Sequence, residues 1–199
     1  MRGVLTGLFL FFLVSRSHCQ TYFDEVLPLF NYRAMEAGFH GVNAVQYLVT
    51  GQNNLLEVMG GIGPGARITS EGVFDYSWVL PEVAGFVSLT ERFYVQRDNL
   101  RKRGVNSFNN AGNYFAVRTI FSQPMMRRYY FGMEPAAMVN IHYGIQRSFG
   151  SGRGAINIHA GWGYGYSLSQ GQGDDYPAVG FKFQWKLKKD TATEKVSSQ

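Results

Sequence analysis

The sequence is poor in cysteine and in long apolar runs. Its single cysteine is Cys19, so no disulfide framework and no cysteine-ligated metal site can form within the chain. A domain of this size does not need such staples to hold a core together. After residue 14 no apolar stretch approaches the roughly 20 residues of a membrane-spanning helix, and the mean hydropathy is only −0.15. The sequence therefore predicts no transmembrane helix.

The amino terminus has the pattern of an export signal. A basic residue precedes an apolar run over 4–14, and a short polar stretch follows. Because the run is too short to cross a bilayer, it predicts a secretory signal peptide over 1–19, with cleavage between Cys19 and Gln20. A lipid anchor on that cysteine is the alternative, but residues 16–18 lack the apolar-then-small approach typical of a bacterial lipoprotein signal.

The chain also lacks a strong charge of either sign. It carries 19 basic and 14 acidic side chains, for a formal net charge of +5. Loss of Arg2 and Arg16 with the signal peptide lowers that charge from +5 to +3. A charge this small does not favour nucleic acid, which a secreted protein seldom meets. We therefore expect no nucleic-acid partner.

Glycine and aromatic residues are abundant instead, with 24 Gly, 16 Phe, 12 Tyr and 3 Trp. In the stretch AINIHAGWGYGYSL (155–168) they alternate, which predicts a β-strand because successive side chains point to opposite faces. One face is apolar and bulky: Ile156, Ile158, Ala160, Trp162, Tyr164, Tyr166 and Leu168. The other face is small or polar: Ala155, Asn157, His159, Gly161, Gly163, Gly165 and Ser167.

The same alternation recurs in three further segments. Residues 115–121, 131–145 and 178–187 each place large apolar side chains on one face, although Thr119 and Ile120 break the pattern. The opposite faces carry charged and amide groups: Arg118, Glu134, Asn140, Lys182 and Lys186. A soluble sandwich would also alternate, but the bulk of the apolar face against the glycine of the other favours a narrow barrel with a polar interior and an aromatic belt toward lipid.

The first half of the chain alternates less clearly. We expect extended segments over 32–41, 43–51 and 55–68, and one or two strands in 74–96 with a break at Pro81, since proline cannot donate to a β-ladder. A polar, basic loop is predicted over 97–113, and a flexible polar tail over 188–199. The whole predicts an all-β fold: a single closed antiparallel transmembrane β-barrel over 20–187, with eight strands because bacterial barrels favour even numbers.

The signal ending before Gln20, the Gly–aromatic strands and the closing YPAVGFKFQWKL (176–187) resemble small outer-membrane β-barrel proteins of Bacteroidetes-type bacteria. The resemblance covers the mature chain in style and the segment 129–187 in detail, and it includes no catalytic signature. It implies insertion by the barrel-assembly machinery. One departure is that twelve mostly polar residues follow Leu187, whereas many such barrels end on an aromatic residue. Either Trp185 serves as an internal signal or the final strand is not recognised in the usual way.

Two copies of an Asn-Ile-His-x-Gly unit lie on neighbouring predicted strands, as NIHYG (140–144) and NIHAG (157–161). A turn at Gly150–Ser151 would set the two histidines opposite each other, and a register two residues shorter would pair each histidine with an asparagine. Either register gathers four polar side chains inside the barrel: Asn140, His142, Asn157 and His159. We interpret them as a hydrogen-bonded plug of the lumen.

No catalytic, cofactor-binding or metal-ligating residues are predicted. A metal site at the two histidines would need a third ligand such as Glu134, and nothing in the spacing demands one. Barrel enzymes that deacylate lipid resemble a His-x-Ser-Asn pattern, but His142 is followed by Tyr143 and Gly144, and His159 by Ala160 and Gly161, so the serine is missing at both sites. The chain is therefore expected not to be an enzyme and to bind no cofactor.

Arginine and lysine are concentrated near the predicted loop, where Arg92 precedes Arg97, Arg101, Lys102 and Arg103. Guanidinium groups suit phosphate, so a contact with lipopolysaccharide phosphate is one interpretation and an ordinary solvated loop is the other. In an eight-stranded barrel with periplasmic ends, a loop between the fourth and fifth strands would face the periplasm.

The function expected from these observations is non-enzymatic: a structural, adhesive or accessory component of the bacterial outer membrane. The expected partners are outer-membrane lipid, lipopolysaccharide, the barrel-assembly machinery and other outer-membrane proteins. Two alternatives remain: a soluble periplasmic barrel that binds a small apolar ligand inside, and a barrel enzyme acting on outer-membrane lipid.

Overall fold

A computed structural model describes residues 28–68, 74–77, 83–95, 97, 109–125, 134–149 and 153–187. The predicted signal peptide (1–19), the predicted tail (188–199), Pro81 and the basic residues Arg101, Lys102 and Arg103 lie outside the described residues. The strands are β1 Tyr32–Gly38, β2 Gly41–Val49, β3 Asn54–Gly63, β4 Gly65–Ile68, β5 Phe74–Ser77, β6 Ala84–Val95, β7 Gly112–Pro124, β8 Ala136–Phe149, β9 Gly154–Ser167 and β10 Gly173–Lys186.

Eight of these strands close into an antiparallel barrel in the order β1-β10-β9-β8-β7-β6-β3-β2. Closure is completed by β1, which pairs antiparallel with β10 on one side and β2 on the other. β4 and β5 form a separate two-stranded hairpin within the β3–β6 connection. The prediction of an all-β, eight-stranded closed antiparallel barrel is confirmed. Among the described residues, no helix is long and apolar enough to cross a membrane.

The alternation in the sequence corresponds to the two faces of the barrel wall. On β9, Ile158 and Trp162 are 55% and 60% exposed, whereas Asn157 and His159 are buried in the lumen. The break expected at Thr119 and Ile120 is not a break in the strand, because the isoleucine points inward and the threonine outward. Side chains therefore alternate between lumen and exterior without interruption. Only the residue types are reversed at these two positions, with the apolar one inside and the polar one outside.

Large exposed apolar side chains occur on all eight barrel strands, and we call this set the outer belt. Its members on the four best-defined predicted strands are Phe115, Val117, Phe121, Val139, Ile141, Tyr143, Ile145, Ile158, Trp162, Tyr164, Tyr166, Val179, Phe183 and Trp185. β1, β2, β3 and β6 contribute Met35, Val42, Leu48, Val49, Val58, Ile62, Val87, Leu89 and Phe93.

Glycine on the inner face makes room for rings from the neighbouring strands. A Cβ atom on Gly163 would lie 2.7 Å from Cζ of Tyr176, and one on Gly144 would meet the ring of Tyr114. The glycine-rich face is therefore not an empty face, because tyrosine and histidine rings from adjacent strands fill the space. This packing explains why the bulky side chains of the sequence divide so unevenly between lumen and exterior.

The first half folds with more breaks than the sequence indicates. The extended segment expected over 55–68 is divided between β3 and β4, whereas the stretch 74–96 contains two strands, β5 and the long β6, which is one of the two expectations for it. The predicted loop over 97–113 ends earlier, since β7 begins at Gly112. Counted along the barrel, β6 and β7 are the fourth and fifth strands, so β6 ends and β7 begins at the end of the barrel where β1 begins and β10 ends.

Candidate functional site

The centre of the lumen is occupied by an ion network of Glu36, Glu57, Arg92, Arg118 and Lys182. Nζ of Lys182 lies 2.7 Å from Oε2 of Glu36 and 3.1 Å from Oε1 of Glu57. Arg92 forms a second ion pair with Glu57, whose side chain is fully buried. Buried charges are stable only when they are paired and hydrogen-bonded. The two carboxylates therefore compensate the buried positive charges around them.

Tyrosine and glutamine side chains complete the hydrogen bonding of this network. The hydroxyl of Tyr47 donates to Glu36 at 2.5 Å. Nη1 of Arg92 donates to Oε1 of Gln146 at 2.7 Å, and the guanidinium lies over the ring of Tyr114 at 4.6 Å. The network joins β1, β2, β3, β6, β7, β8 and β10, so it connects strands that are far apart in the barrel wall.

The four residues of the predicted plug all lie in the lumen, and all four are at least 96% buried. The rings of His142 and His159 are 4.5 Å apart between centroids. Nδ1 of His142 is 3.0 Å from Oδ1 of Asn140, and Nδ1 of His159 is 3.3 Å from Oδ1 of Asn157. Each imidazole is therefore oriented by the asparagine two residues earlier on its own strand.

Neither predicted register of the β8–β9 hairpin is correct. His142 pairs with Gly161, and His159 pairs with Gly144. The hairpin closes at Phe149↔Gly154, so its loop is longer than a two-residue turn. Because each histidine has a glycine as its cross-strand partner, the two imidazole rings can approach each other diagonally across the two strands.

A third imidazole, missed by the sequence reasoning, lies beside this pair. His40, in the turn between β1 and β2, has its ring 5.7 Å from that of His159. The sequence offers no signal for this contact, because it depends on barrel closure. Among the described residues, no group of three or more His, Cys, Asp or Glu side chains is arranged to hold a metal ion.

Glu134, considered as a third metal ligand, is instead bound at the barrel end opposite the termini. It accepts hydrogen bonds from Ser167, from Oγ of Ser169 at 2.7 Å, and from Nε2 of Gln170 at 2.6 Å. Partial burial raises the pKa of Glu134, but these three hydrogen bonds outweigh it and hold the pKa below its ordinary value. The carboxylate therefore ties the start of β8 to the β9–β10 turn.

The end that carries the termini is closed by Asn109 and Asn110, both with positive φ, at 54° and 52°. The backbone N–H of Phe30 donates to Oδ1 of Asn110 at 3.1 Å, and Nδ2 of that asparagine donates back to the carbonyl of Phe30 at 2.9 Å. Nε2 of Gln146 donates to the carbonyl of Asn109 at 2.5 Å. Asparagine tolerates this left-handed backbone conformation, and both asparagines are buried at this end of the lumen.

The basic residues near this loop are not one cluster. Arg92 belongs to the ion network and is fully buried, so it is not part of a solvated loop. Arg97 is 8% exposed, and its guanidinium lies 5.4 Å from the ring centre of Tyr94 at the end that carries the termini. Arg101, Lys102 and Arg103 lie outside the described residues.

Comparison of the chain with protein-family models, with curated proteins and with solved structures found no match. The features of the chain that bear on its function are therefore the two faces of the barrel: the outer belt and the filled lumen with its buried charges. A soluble barrel would not expose such a belt to water, and its interior would not hold so many charges, although apolar side chains such as Leu55, Met59 and Met138 are also buried in this lumen.

Proposed function

We propose that the mature chain is an outer-membrane β-barrel protein of a Gram-negative bacterium with a structural, adhesive or accessory role and no enzymatic activity. The observation that carries this proposal is the outer belt, which covers all eight barrel strands. The largest exposed apolar patch of a soluble monomer is typically about 300–600 Å². A belt around an entire barrel wall is stabilised by lipid and would promote aggregation in water.

The strand lengths support the same proposal. A transmembrane strand needs about 9–11 residues, and β3, β6, β7, β8, β9 and β10 have 10 to 14 residues each. The eight strands pair in a closed ring in which the β1–β10 pairing is the shortest, and pairing of backbone groups between strands is the condition for crossing a bilayer with strands. β2 has nine residues and β1 only seven.

The filled lumen supports a role other than passive diffusion. The ion network crosses the lumen, and Asn109 and Asn110 close one end. An eight-stranded barrel has an interior just wide enough for its own side chains. We therefore place the function at the external surface and loops of the barrel, where lipid and other outer-membrane proteins would be the partners.

The two alternatives have less support. A soluble barrel that binds an apolar ligand inside would need an apolar, open lumen and a polar exterior. Instead, tyrosine rings and the buried charges Glu57 and Arg92 fill the lumen, and Trp162, Phe183 and Trp185 are exposed on the outer face. A lipid-cleaving enzyme would need a serine hydrogen-bonded to a histidine. Among the described contacts, His142 and His159 hydrogen-bond to asparagine and arginine instead.

The barrel topology also bears on the proposed partners. With both termini in the periplasm, the loop that contains Arg97 faces the periplasm, away from the lipopolysaccharide phosphates of the outer leaflet. We therefore do not assign Arg97, Arg101, Lys102 and Arg103 to lipopolysaccharide. Trp185, outward-facing next to the end of β10, is the residue we propose for recognition by the barrel-assembly machinery.

Cell fractionation tests the proposal. The protein, expressed with its own first 19 residues, should remain in the membrane pellet in buffer and high salt and should be extracted only by detergent. It should also migrate faster on a denaturing gel without heating than after boiling, as closed barrels do. A known soluble periplasmic protein and a known outer-membrane barrel serve as controls. Extraction by buffer alone would overturn the membrane assignment.

A further inference from the structure

The wall of the barrel has an opening beside β1. β1 pairs with β10 only from Ala34↔Lys186 to Gly38↔Lys182, and one further hydrogen bond runs from the N–H of Phe39 to the carbonyl of Phe181 at 3.0 Å. β10 continues for eight more residues, to Gly173, paired with β9. In the part of the chain that the structure describes, this half of β10 therefore pairs with a strand on one side only, since β5 approaches β10 without pairing with it. We call the resulting gap between Phe39 and β10 the notch.

The residues of β10 that border the notch include a proline, which is compatible with an unpaired strand edge. The carbonyl of Phe181 points toward β1, and backbone groups alternate in direction along an antiparallel strand. The backbone groups of Val179 and Pro177 must therefore point to the same side, into the notch. Proline has no N–H to leave unsatisfied there, and within sheets it is confined to edges.

A cavity of about 230 Å³ lies at the notch. Its rim is apolar and belongs to the outer surface, where Phe39, Pro177 and Val179 line it. Its inner wall contains polar Asn140 and His159 as well as apolar Ile120 and Ala178. The cavity is thus apolar at its outer rim and partly polar at its inner wall. It lies between the outer belt and the histidines of the lumen.

A positive charge lies behind the polar wall. Arg118 is the next inward-facing residue below Ile120, which also lines the cavity, and Nη1 of Arg118 lies 3.4 Å from Nε2 of His159. Nε of Arg118 donates to Thr90 at 3.0 Å, but Nη2 is buried without a hydrogen bond, and Glu57 is 3.8 Å away.

The ion network contains two carboxylates, Glu36 and Glu57, against three cations. Lys182 contacts both carboxylates at hydrogen-bond distance, and Arg92 contacts Glu57. Arg118 is therefore the cation of the network that no described carboxylate contacts at hydrogen-bond distance. Guanidinium groups bind carboxylates with strong, charge-assisted hydrogen bonds. The positive charge of Arg118 therefore favours binding of an anion in the cavity.

We propose that the notch binds an amphipathic monocarboxylate of fatty-acid type, with its apolar chain against Phe39 and Val179 and its carboxylate directed toward His159 and Arg118. The inference rests on the proposed membrane location, because the chain of such a ligand would arrive from lipid. The cavity is smaller than the roughly 300–1,000 Å³ of most ligand pockets, so a medium-chain acid such as octanoate fits better than a whole phospholipid.

Octanoate binding to the purified barrel in a non-ionic detergent tests this assignment. ¹³C-carboxyl octanoate should bind saturably at pH 7.5, above its partition into protein-free micelles. Octanol and octylammonium, which have the same chain, should bind at least tenfold more weakly because they lack the negative charge. Arg118→Met should weaken octanoate binding at least tenfold and leave octanol binding unchanged.

Two variants of the outer surface guard against a folding defect. Val179→Trp fills the rim of the notch and should abolish saturable octanoate binding. Val139→Trp makes the same change on the exposed face of β8, outside the cavity, and should bind octanoate like the parent chain. Heat-modifiable migration verifies that both are folded. Absent saturable binding, equal binding of octanol, or unimpaired binding by Val179→Trp would each overturn the proposal, whereas the membrane location would stand on the fractionation result alone.

Discussion

The rings of His142 and His159 pack 4.5 Å apart, centroid to centroid, although the two residues are not cross-strand partners. Their contact is diagonal, across Gly161 and Gly144, and each ring is held by an asparagine of its own strand. The arrangement satisfies most of the polar atoms of the cluster from within the barrel, as expected of a structural plug.

Removal of either histidine should destabilise the barrel without any effect of metal. His142→Ala or His159→Ala leaves buried asparagine groups less satisfied, so we expect a loss of about 1–3 kcal/mol of unfolding free energy. Urea titration of the refolded barrel measures it. Added zinc at pH 7.5 should not raise the melting temperature. A zinc-dependent rise that disappears in the double variant would instead establish a metal site at the two imidazoles.

Loss of Glu57 should be the most damaging single change in the ion network. Glu57→Gln leaves Arg92 and Lys182 buried with less compensation, and breaking a buried pair in this way costs about 3–5 kcal/mol. Glu91→Gln is the matched control, because Glu91 lies on the exposed side of β6 and contacts Thr50. Equal unfolding free energies for the two variants would contradict the central role of Glu57.

An arginine in the outer belt should distinguish lipid from water. If Ile158 faces lipid near the middle of β9, Ile158→Arg should cost roughly 2–4 kcal/mol or block insertion, whereas Tyr166→Arg near the strand end should cost about 0–1 kcal/mol. Refolding into lipid vesicles with urea titration gives both values. A neutral effect at Ile158, or water contact with a spin label there, would argue against the membrane orientation.

A side chain added at a lumen glycine should act through packing alone. Gly163→Val would place its Cβ within 2.8 Å of both Tyr176 and Asn140, and such overpacking typically costs about 1–3 kcal/mol. Ala160→Val, on the outward face of the same strand, is the control and should change stability little. If Gly163→Val were tolerated as well as the control, the lumen would be less densely filled than its contacts indicate.

Acid should loosen the β9–β10 turn through Glu134. The pKa of this carboxyl is lower in the folded protein than in the unfolded chain, so its hydrogen bonds stabilise the turn above the unfolded pKa of about 4.3 and are lost as pH falls through the lower folded pKa. Hydrogen exchange at the amides of Gln170 and Gly171 should accelerate over that window. Glu134→Gln should remove this pH dependence, and an unchanged profile in the variant would exclude Glu134 as its source.

The sequence by itself determined which segments of the second half form strands and how their residues divide between the two faces. Side chains on a strand alternate by geometry, so Asn157, His159, Lys182 and Gln184 had to share a face opposite Ile158 and Phe183. The closed barrel was predicted from the same alternation and the absence of long apolar runs, whereas the number of strands was chosen between seven and eight from the even numbers typical of bacterial barrels.

Only the tertiary structure decided which distant residues meet. The ion network joins Glu36, Glu57 and Lys182 across up to 146 residues of chain, and His40 reaches His159 only because β1 closes onto β10. Local periodicity cannot specify such pairings, since they depend on the register of each hairpin and on ring closure. The notch has the same origin: it exists because seven-residue β1 meets fourteen-residue β10, and that mismatch becomes an opening only when the two strands are paired.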